Sequence, residues 1–359
     1  MTIRKQPTVY DVAALADVSI ATVSRVLRGP QTVRESTRQR VLSAVRELGY
    51  VPSASARGLA GRRTKVLGLL LPGETEREPI PPMASTSSEV AFVDDRGDTP
   101  APTPANLYFD EIIRGAEDAA WRAGYALMIT AGRGMSRGVV LDDVAGRVDG
   151  LAVLASTLED ALVVKAATRL PLVVLAGMTP TDVDRVVVDN RGGMQALVRH
   201  VLAVKPSGPV LYLDGPRSSP DAAARARGFE DAVRGREDVH HAPAEFTEAG
   251  GRAAVAQFLT RERPGAVIAA NDQSALGALA ALSEAGVRVP EKTVVTGFDG
   301  IHAGRYSSPR LTTVRQPMAQ LGEAAVETIL QRLEHRDRPP QAIELPVDVL
   351  LRESCPPRR

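Results

Sequence analysis

The sequence predicts an α/β protein in two parts: a small, wholly helical N-terminal head and a large body built on two doubly wound parallel sheets. Three observations carry this. A chain of 359 residues exceeds what one ordinary core organises. Residues 1–51 show helical periodicity and no strand-like run. Beyond residue 64, near-continuous Val/Leu/Ile runs alternate with helical stretches, the pattern of strands covered on both faces.

In the head, Thr8 followed by Asp11 has capping-box form with the shorter acid and opens a helix. Val12, Leu15 and Ala16 fall on one face of it. Asp17-Val18-Ser19 breaks that helix, and Ser19 suits the N-cap of the next, I-A-T-V-S-R-V-L, which ends near Gly29-Pro30. A third helix from Glu35 to Leu48 turns Val41, Leu42, Val45 and Leu48 inward and stops at Gly49. Two short helices across a tight polar turn, closed by a third, is the helix-turn-helix plan. The second helix begins slim enough to enter a major groove. Ile20 and Ala21 suit thymine methyls and base edges, and Arg25 suits guanine O6 and N7. Thr8, Ser19, Thr22 and Ser24 are short hydroxyl residues suited to phosphate oxygens, or to plain capping. Tyr10 completes this candidate DNA-facing set.

Charge is divided along the chain. Residues 1–63 hold eleven Lys and Arg against four Asp and Glu, whereas the whole chain nets only +1. A basic head on an acidic body favours a polyanion partner for the head; the plain alternative is a solvated basic face. Residues 52–63 read as a hinge. Pro52 can start a short helix there, but with Gly58 inside it the segment needs DNA and a second copy to order it. Leu59 would then be an apolar wedge, or else a stray leucine in a linker.

The body supplies K-V-L-G-L-L-L-P, Y-A-L-M-I-T-A, G-L-A-V-L-A, L-P-L-V-V-L-A-G and R-V-V-V-D-N as one series of strands. P-V-L-Y-L-D-G, G-A-V-I-A-A-N-D and T-V-V-T-G-F-D-G form a second series. Ligands of such folds bind at the carboxyl ends of strands. Asn271-Asp272 closes one strand, Asp299 closes another, and Arg225 follows a third. Asp and Asn suit hydroxyls, and Arg offers a planar fork; helix capping and surface ion pairing are the competing uses. Residues 74–105, with six prolines, read as a semi-extended surface loop, inert or folded over a ligand as a lid.

Catalytic and metal signatures are missing. The chain shows no Gly-rich phosphate loop, no G-x-S-x-G and no H-E-x-x-H, so an enzyme is not expected. Cys355 is the only cysteine, which excludes an internal disulfide and a Cys-based metal site; no cofactor is expected. His240-His241 is a lone pair outside any metal-ligand spacing and reads as a solvated loop. Without an apolar run of bilayer length or an apolar leader, the expected place is the cytoplasm.

T-V-Y-D-V-A-A-L-A-D-V-S-I-A-T-V-S-R-V-L, then T-R-Q-R-V-L-S-A-V-R-E-L-G-Y-V-P and L-A-G, resemble the head and hinge of the LacI/GalR repressor family almost continuously over residues 8–61. S-S-P-D-A-A-A-R-A-R-G-F, A-A-N-D-Q-S-A-L-G-A-L, V-V-T-G-F-D-G and L-T-T-V-R-Q-P-M are similar to body motifs of that family, in order. The resemblance implies base reading at Ile20, Ala21 and Arg25, and a minor-groove wedge at Leu59 between paired hinge helices. It implies a body similar to periplasmic sugar-binding proteins: two lobes, three crossovers and an effector between them. By position, Arg225, Asn271 and Asp299 match effector contacts, and Phe246, Gln316 and Met318 match secondary pocket positions. A homodimer on pseudo-palindromic double-stranded DNA, with a small carbohydrate-like effector and no membrane partner, follows from the same resemblance. The implied division is a head at 1–51, a hinge at 52–63 and a sensing and dimerisation body at 64–359. Four departures stand out. Arg34 replaces a frequent serine cap, Gly58 weakens the hinge helix, Ala176 stands where sugar-binding relatives carry an acid, and the 74–105 segment replaces a crossing of a few residues. The body alone also suits a transport-type binding protein, and a protein partner is an alternative to a small effector.

Overall fold

The computed structural model describes residues 8–28, 33–48, 63–72, 107–131, 137–154, 159–177, 182–204 and 206–357. Leu59, hinge residues 52–62 and the 74–105 segment lie outside the described residues. The chain divides into two units, Met1–Thr64 and Lys65–Arg359.

The first unit holds α1 (Val9–Leu15), α2 (Ile20–Arg28) and α3 (Glu35–Leu48). The Asp11 carboxylate accepts from the Thr8 backbone N–H and from the Thr8 hydroxyl, both at 2.7 Å, so the opening of α1 is held as its sequence suggests. Ser19 accepts from the Thr22 backbone N–H at 3.2 Å and caps α2. Glu35 gathers Arg38 and Gln39 in the first turn of α3. Val12, Ala13, Ala16, Val23, Val26, Val41 and Ala44 make the core, with Leu42, Val45 and Leu48 packed against it. Leu15 is a correction: it is exposed, and Ala13 takes the inward place. A small side chain at 13 lets α1 approach its two partner helices, which a leucine would hold off.

The second unit contains two six-stranded sheets. The first lobe comprises β1 (Val66–Leu71), β2 (Ala126–Ala131), β3 (Gly150–Leu154), β4 (Leu172–Leu175), β5 (Asp184–Val188) and β11 (Ala342–Leu345). Its order is β11-β5-β4-β3-β1-β2, parallel throughout. The second comprises β6 (Val210–Asp214), β7 (Val239–Pro243), β8 (Ala266–Ala269), β9 (Val294–Asp299), β10 (Thr312–Arg315) and β12 (Asp348–Leu350), ordered β12-β10-β9-β8-β6-β7. Only the β10–β12 pair is antiparallel. Helices α4 (Leu107–Arg122), α5 (Arg137–Ala145), α6 (Asp160–Ala167) and α12 (Met318–Glu334) cover the first sheet. Helices α7 (Asn190–Ala203), α8 (Pro220–Val233), α9 (Glu248–Leu259) and α10 (Asp272–Glu284) cover the second, and α11 (Ala303–Tyr306) is a single turn.

The chain passes between lobes three times: from β5 to α7, from β10 to α12 and from β11 to β12. Ile301 of the second lobe is buried in the same apolar cluster as Ile112 and Met318 of the first, so the lobes touch along an apolar lip. Among the described residues, no helix is long and apolar enough to cross a membrane.

Glycines set the helix spacing. A Cβ at Gly115 on α4 would lie 1.9 Å from the Ala319 carbonyl oxygen, and one at Gly322 on α12 would lie 2.1 Å from that of Ile112. The pairs α9–α10 and α7–α8 repeat this through Gly277 against Glu248 and Gly228 against Arg191. Backbone cannot yield as a side-chain tip can. Gly322→Ala should therefore lower stability by about 1–3 kcal/mol. Gly138, with open space around it, is the control, and its alanine variant should be neutral or mildly stabilising in the same thermal unfolding experiment.

Candidate functional site

The head presents a compact polar and apolar face around α2. Ser19, Ala21 and Arg25 are exposed, with Thr22 and Ser24 half-buried beside them. Ile20 is 40 % exposed and Tyr10 68 % exposed, although the head has a small core that further apolar side chains would enlarge. Thr8 is exposed at the α1 cap, so its hydroxyl serves the helix while remaining accessible. Arg34 offers no side-chain cap, yet its carbonyl accepts from Arg38 at 3.0 Å and α3 starts normally.

The body gathers its polar residues where the strands of the second sheet end. Arg225, on α8, is 3 % exposed. Its Nε donates to Asn190 Oδ1 at 2.8 Å, and its Nη1 donates to the Ala270 carbonyl at 2.7 Å and to Asp299 Oδ1 at 3.1 Å. Gln316 Nε2 donates to the same Asp299 oxygen at 2.7 Å. Asn190 Nδ2 donates to Asp221 Oδ1 at 3.0 Å. Asp221, Asn190, Arg225, Asp299 and Gln316 thus form one hydrogen-bonded chain. The Arg225 guanidinium also lies 4.0 Å from the Phe298 ring centroid and 5.5 Å from that of Phe246.

Asn271 has both ends of its amide bonded. Its Oδ1 caps α10 by accepting from Ser274 at 3.0 Å, and its Nδ2 donates to the Phe246 carbonyl at 3.0 Å. That second bond braces a turn in which Glu245 and Phe246 both hold left-handed φ, 54° and 60°. Met318 is buried at the start of α12, within the apolar cluster of the first lobe and next to the crossing that carries Gln316. Ala176 holds a left-handed φ of 54° at the end of β4.

Burial governs the charges. It pushes the Asp299 carboxyl up, against the pull of Arg225 and Gln316. Asp221 is raised by burial as well, with Arg225 and Asn190 opposing. The Tyr108 phenol, on α4 of the first lobe, is raised well above its ordinary value by burial, with the Asp221 and Asp299 charges adding to it. Sequence reading passed over Asn190, Asp221 and Tyr108. Asn190 was taken as a strand end, and Asp221 and Tyr108 carried no chemical signature.

His240 and His241 require a correction. They lie on edge strand β7 and not in a solvated loop, and the fold brings carboxylates of β6 and α8 to His241. His241 Nδ1 is 3.2 Å from Asp214 and Nε2 is 2.9 Å from Glu230. Hydrogen bonding to Asp214, more than any other cause, raises its affinity for a proton. Among the described residues, no group of three or more His, Cys, Asp or Glu is placed to hold a metal.

Residues 8–53 match the family described as bacterial regulatory proteins, lacI family, and residues 208–355 match the periplasmic binding protein-like domain. The HTH-type transcriptional repressor PurR of Klebsiella pneumoniae (strain 342) is 32 % identical over 352 residues, 94 % of each chain. The chain belongs to the LacI family. Among solved structures, the Lac repressor dimer bound to operator and the anti-inducer ONPF is 25 % identical. It superposes with a TM-score of 0.80 over 98 % of this chain and 99 % of that one. The transcriptional regulator CelR–cellobiose complex is 26 % identical, with a TM-score of 0.66 over 97 % and 99 %. A LacI-family body of two lobes and three crossings is the arrangement described above.

Within this LacI-family body, Asp272 is a brace for the site. Its Oδ2 accepts from the Gly300 and Ile301 backbone N–H groups at 2.8 and 2.9 Å, and its Oδ1 accepts from the Thr313 hydroxyl at 2.6 Å. Asp272→Ala strands these buried donors and should cost about 3 kcal/mol or more in urea unfolding. Asp348→Ala, at an exposed ion pair, should change stability by less than about 1 kcal/mol.

Proposed function

We propose that this chain is a sequence-specific transcriptional repressor whose operator binding is set by a small polar, carbohydrate-like effector between the body lobes. One observation carries the reading. A helix-turn-helix head and a two-lobed sensing body stand in one chain, in the same order and over 94 % of the length of a repressor relative. On the DNA side, Thr8, Tyr10, Ser19, Ile20, Ala21, Thr22, Ser24 and Arg25 face the operator, with Leu59 of the hinge as wedge. The exposure of Tyr10 and Ile20 supports this assignment. On the effector side, Arg225, Asn271, Asp299, Phe246, Gln316 and Met318 line the cleft, joined by Asn190 and Asp221. The hydrogen bonds among them support that grouping.

The working unit is a homodimer on a pseudo-palindromic site, because two-fold protein symmetry imposes the palindrome. The solved Lac repressor is a dimer on its operator, and the solved CelR holds cellobiose. Exposed Trp121 on α4, Ile129 on edge strand β2 and Val139 on α5 give a body-to-body contact apolar surface to bury. The head takes residues 1–51, the hinge 52–63 and the body 64–359. The activity is binding without a catalytic step, and its place is the cytoplasm, where the DNA is. Control requires that the effector bind two lobe arrangements with unequal affinity. Asn190 follows the first crossing and Gln316 lies in the second, so a ligand held by this network acts where the lobes are joined.

Two measurements test the reading. Arg25→Ala should weaken operator binding by about 1–3 kcal/mol in fluorescence anisotropy, with little change on random duplex. Equal losses on both would reduce Arg25 to a backbone contact. Asp299→Asn should remove the effector response while operator binding persists. A response of unchanged affinity would take Asp299 out of the site.

A further inference from the structure

We infer that the effector bears a protonated amine, held by Asp221, Asp299 and Gln316. This rests on the cleft reading above and narrows its ligand class. Two carboxylates, Asp221 and Asp299, share the hydrogen-bonded network with one guanidinium, Arg225, and all three are at least nine-tenths buried. With both acids ionised, this side of the cleft holds one negative charge in excess. Asp272, a third buried carboxylate, is held by the neutral donors of Gly300, Ile301 and Thr313 and brings no positive charge to offset that excess. An uncompensated charge away from water is unfavourable, and the site relieves it by taking up a proton or a cation.

The remaining hydrogen-bonding capacity points the same way. Asp221 and Asp299 each accept through Oδ1, and their second oxygens receive no donor among the described residues. Gln316 is 2 % exposed, and its Oε1 is buried without a donor. Its amide nitrogen is held on Asp299 at 2.7 Å, which keeps that oxygen beside the same carboxylate. Three acceptors are therefore open, and a primary ammonium brings three N–H donors with its charge. The Phe246 ring, already near one cation, offers a face to a second. Arg225 Nη2 makes none of the bonds described and suits a ligand hydroxyl oxygen. A neutral polyol fills the acceptors and leaves the charge. A carboxylate or phosphate reaching Arg225 must lie against Asp299. An amine-bearing carbohydrate meets both requirements. The upward push of burial on both carboxyls fits a site that binds a proton when the amine is absent.

The test uses the full chain and three matched sets: D-glucosamine, D-galactosamine and D-mannosamine, each beside its parent hexose and its uronic acid. Titration calorimetry reads affinity, and anisotropy with operator DNA reads the response. At least one amine should bind about tenfold or more tighter than its hexose and its uronate. Asp221→Asn should reduce that amine to the affinity of its hexose. If that variant folds poorly, Asp299→Asn provides the same comparison. A hexose or uronate that binds as tightly as the amine overturns the inference, as does a preference surviving both substitutions, or no binding by any amine. A neutral hexose that shifts operator affinity would leave the repressor reading standing while this one falls. Failure to bind any operator would sink the former alone.

Discussion

Arg225 is a cation with almost no access to water, and the surrounding body is arranged to make that tolerable. A buried guanidinium without partners would be costly, so acceptors have to be brought to it from several directions. They arrive from Asn190 after the first crossing, from the Ala270 carbonyl beyond β8, and from Asp299 at the end of β9. Gln316, in the second crossing, then fastens Asp299 from the other side. The polar ends of separate strands and two of the three lobe connections are thereby tied to one side chain. That is why the network sits where a change in lobe arrangement is felt.

Such precision needs rigid supports. The closest helix pairs achieve it by removing side chains from their contacts, so that Gly115, Gly322, Gly228 and Gly277 let backbones meet. Asp272 performs the matching task for the loop after β9, holding Gly300 and Ile301 by their amides and Thr313 by its hydroxyl. The Asn271 side chain braces the Phe246 turn in the same manner. The glycines and Asp272 position the site without needing to touch a ligand. From sequence alone they are hard to distinguish from the residues that do.

The legible parts of the fold were those with a strong local signal. All eight Val/Leu/Ile segments became strands, and α3 runs from Glu35 to Leu48 as its periodicity indicates. The strands that escaped notice, β7, β10, β11 and β12, are short, and three of them have largely exposed faces with no apolar run to announce them. His240 and His241 were misread for this reason, since edge strand β7 meets Asp214 and Glu230 only through long-range contacts. Asn271 and Asp299 stood out because they close strands, and Arg225 because its motif follows one. Asn190 and Asp221 did not, because their chemistry depends on a partner far along the chain.

The far end of α12 completes the physical argument. Arg332 commits its whole fork: Nε and Nη2 to Asp184 at 2.9 and 2.8 Å, Nη2 also to the Pro339 carbonyl, and Nη1 to the carbonyls of Arg336 and Arg338. Asp184, itself buried, also accepts from the Gln341 backbone N–H at 2.8 Å. The helix is therefore pinned to the start of β5 and to the segment leading into β11. Its other end follows Gln316 directly. A helix of 17 residues spans roughly 25 Å, and with Gly115 and Gly322 locking it against α4 it has little freedom to bend. The crossing that carries Gln316 and the start of β5 are therefore joined by one stiff helix.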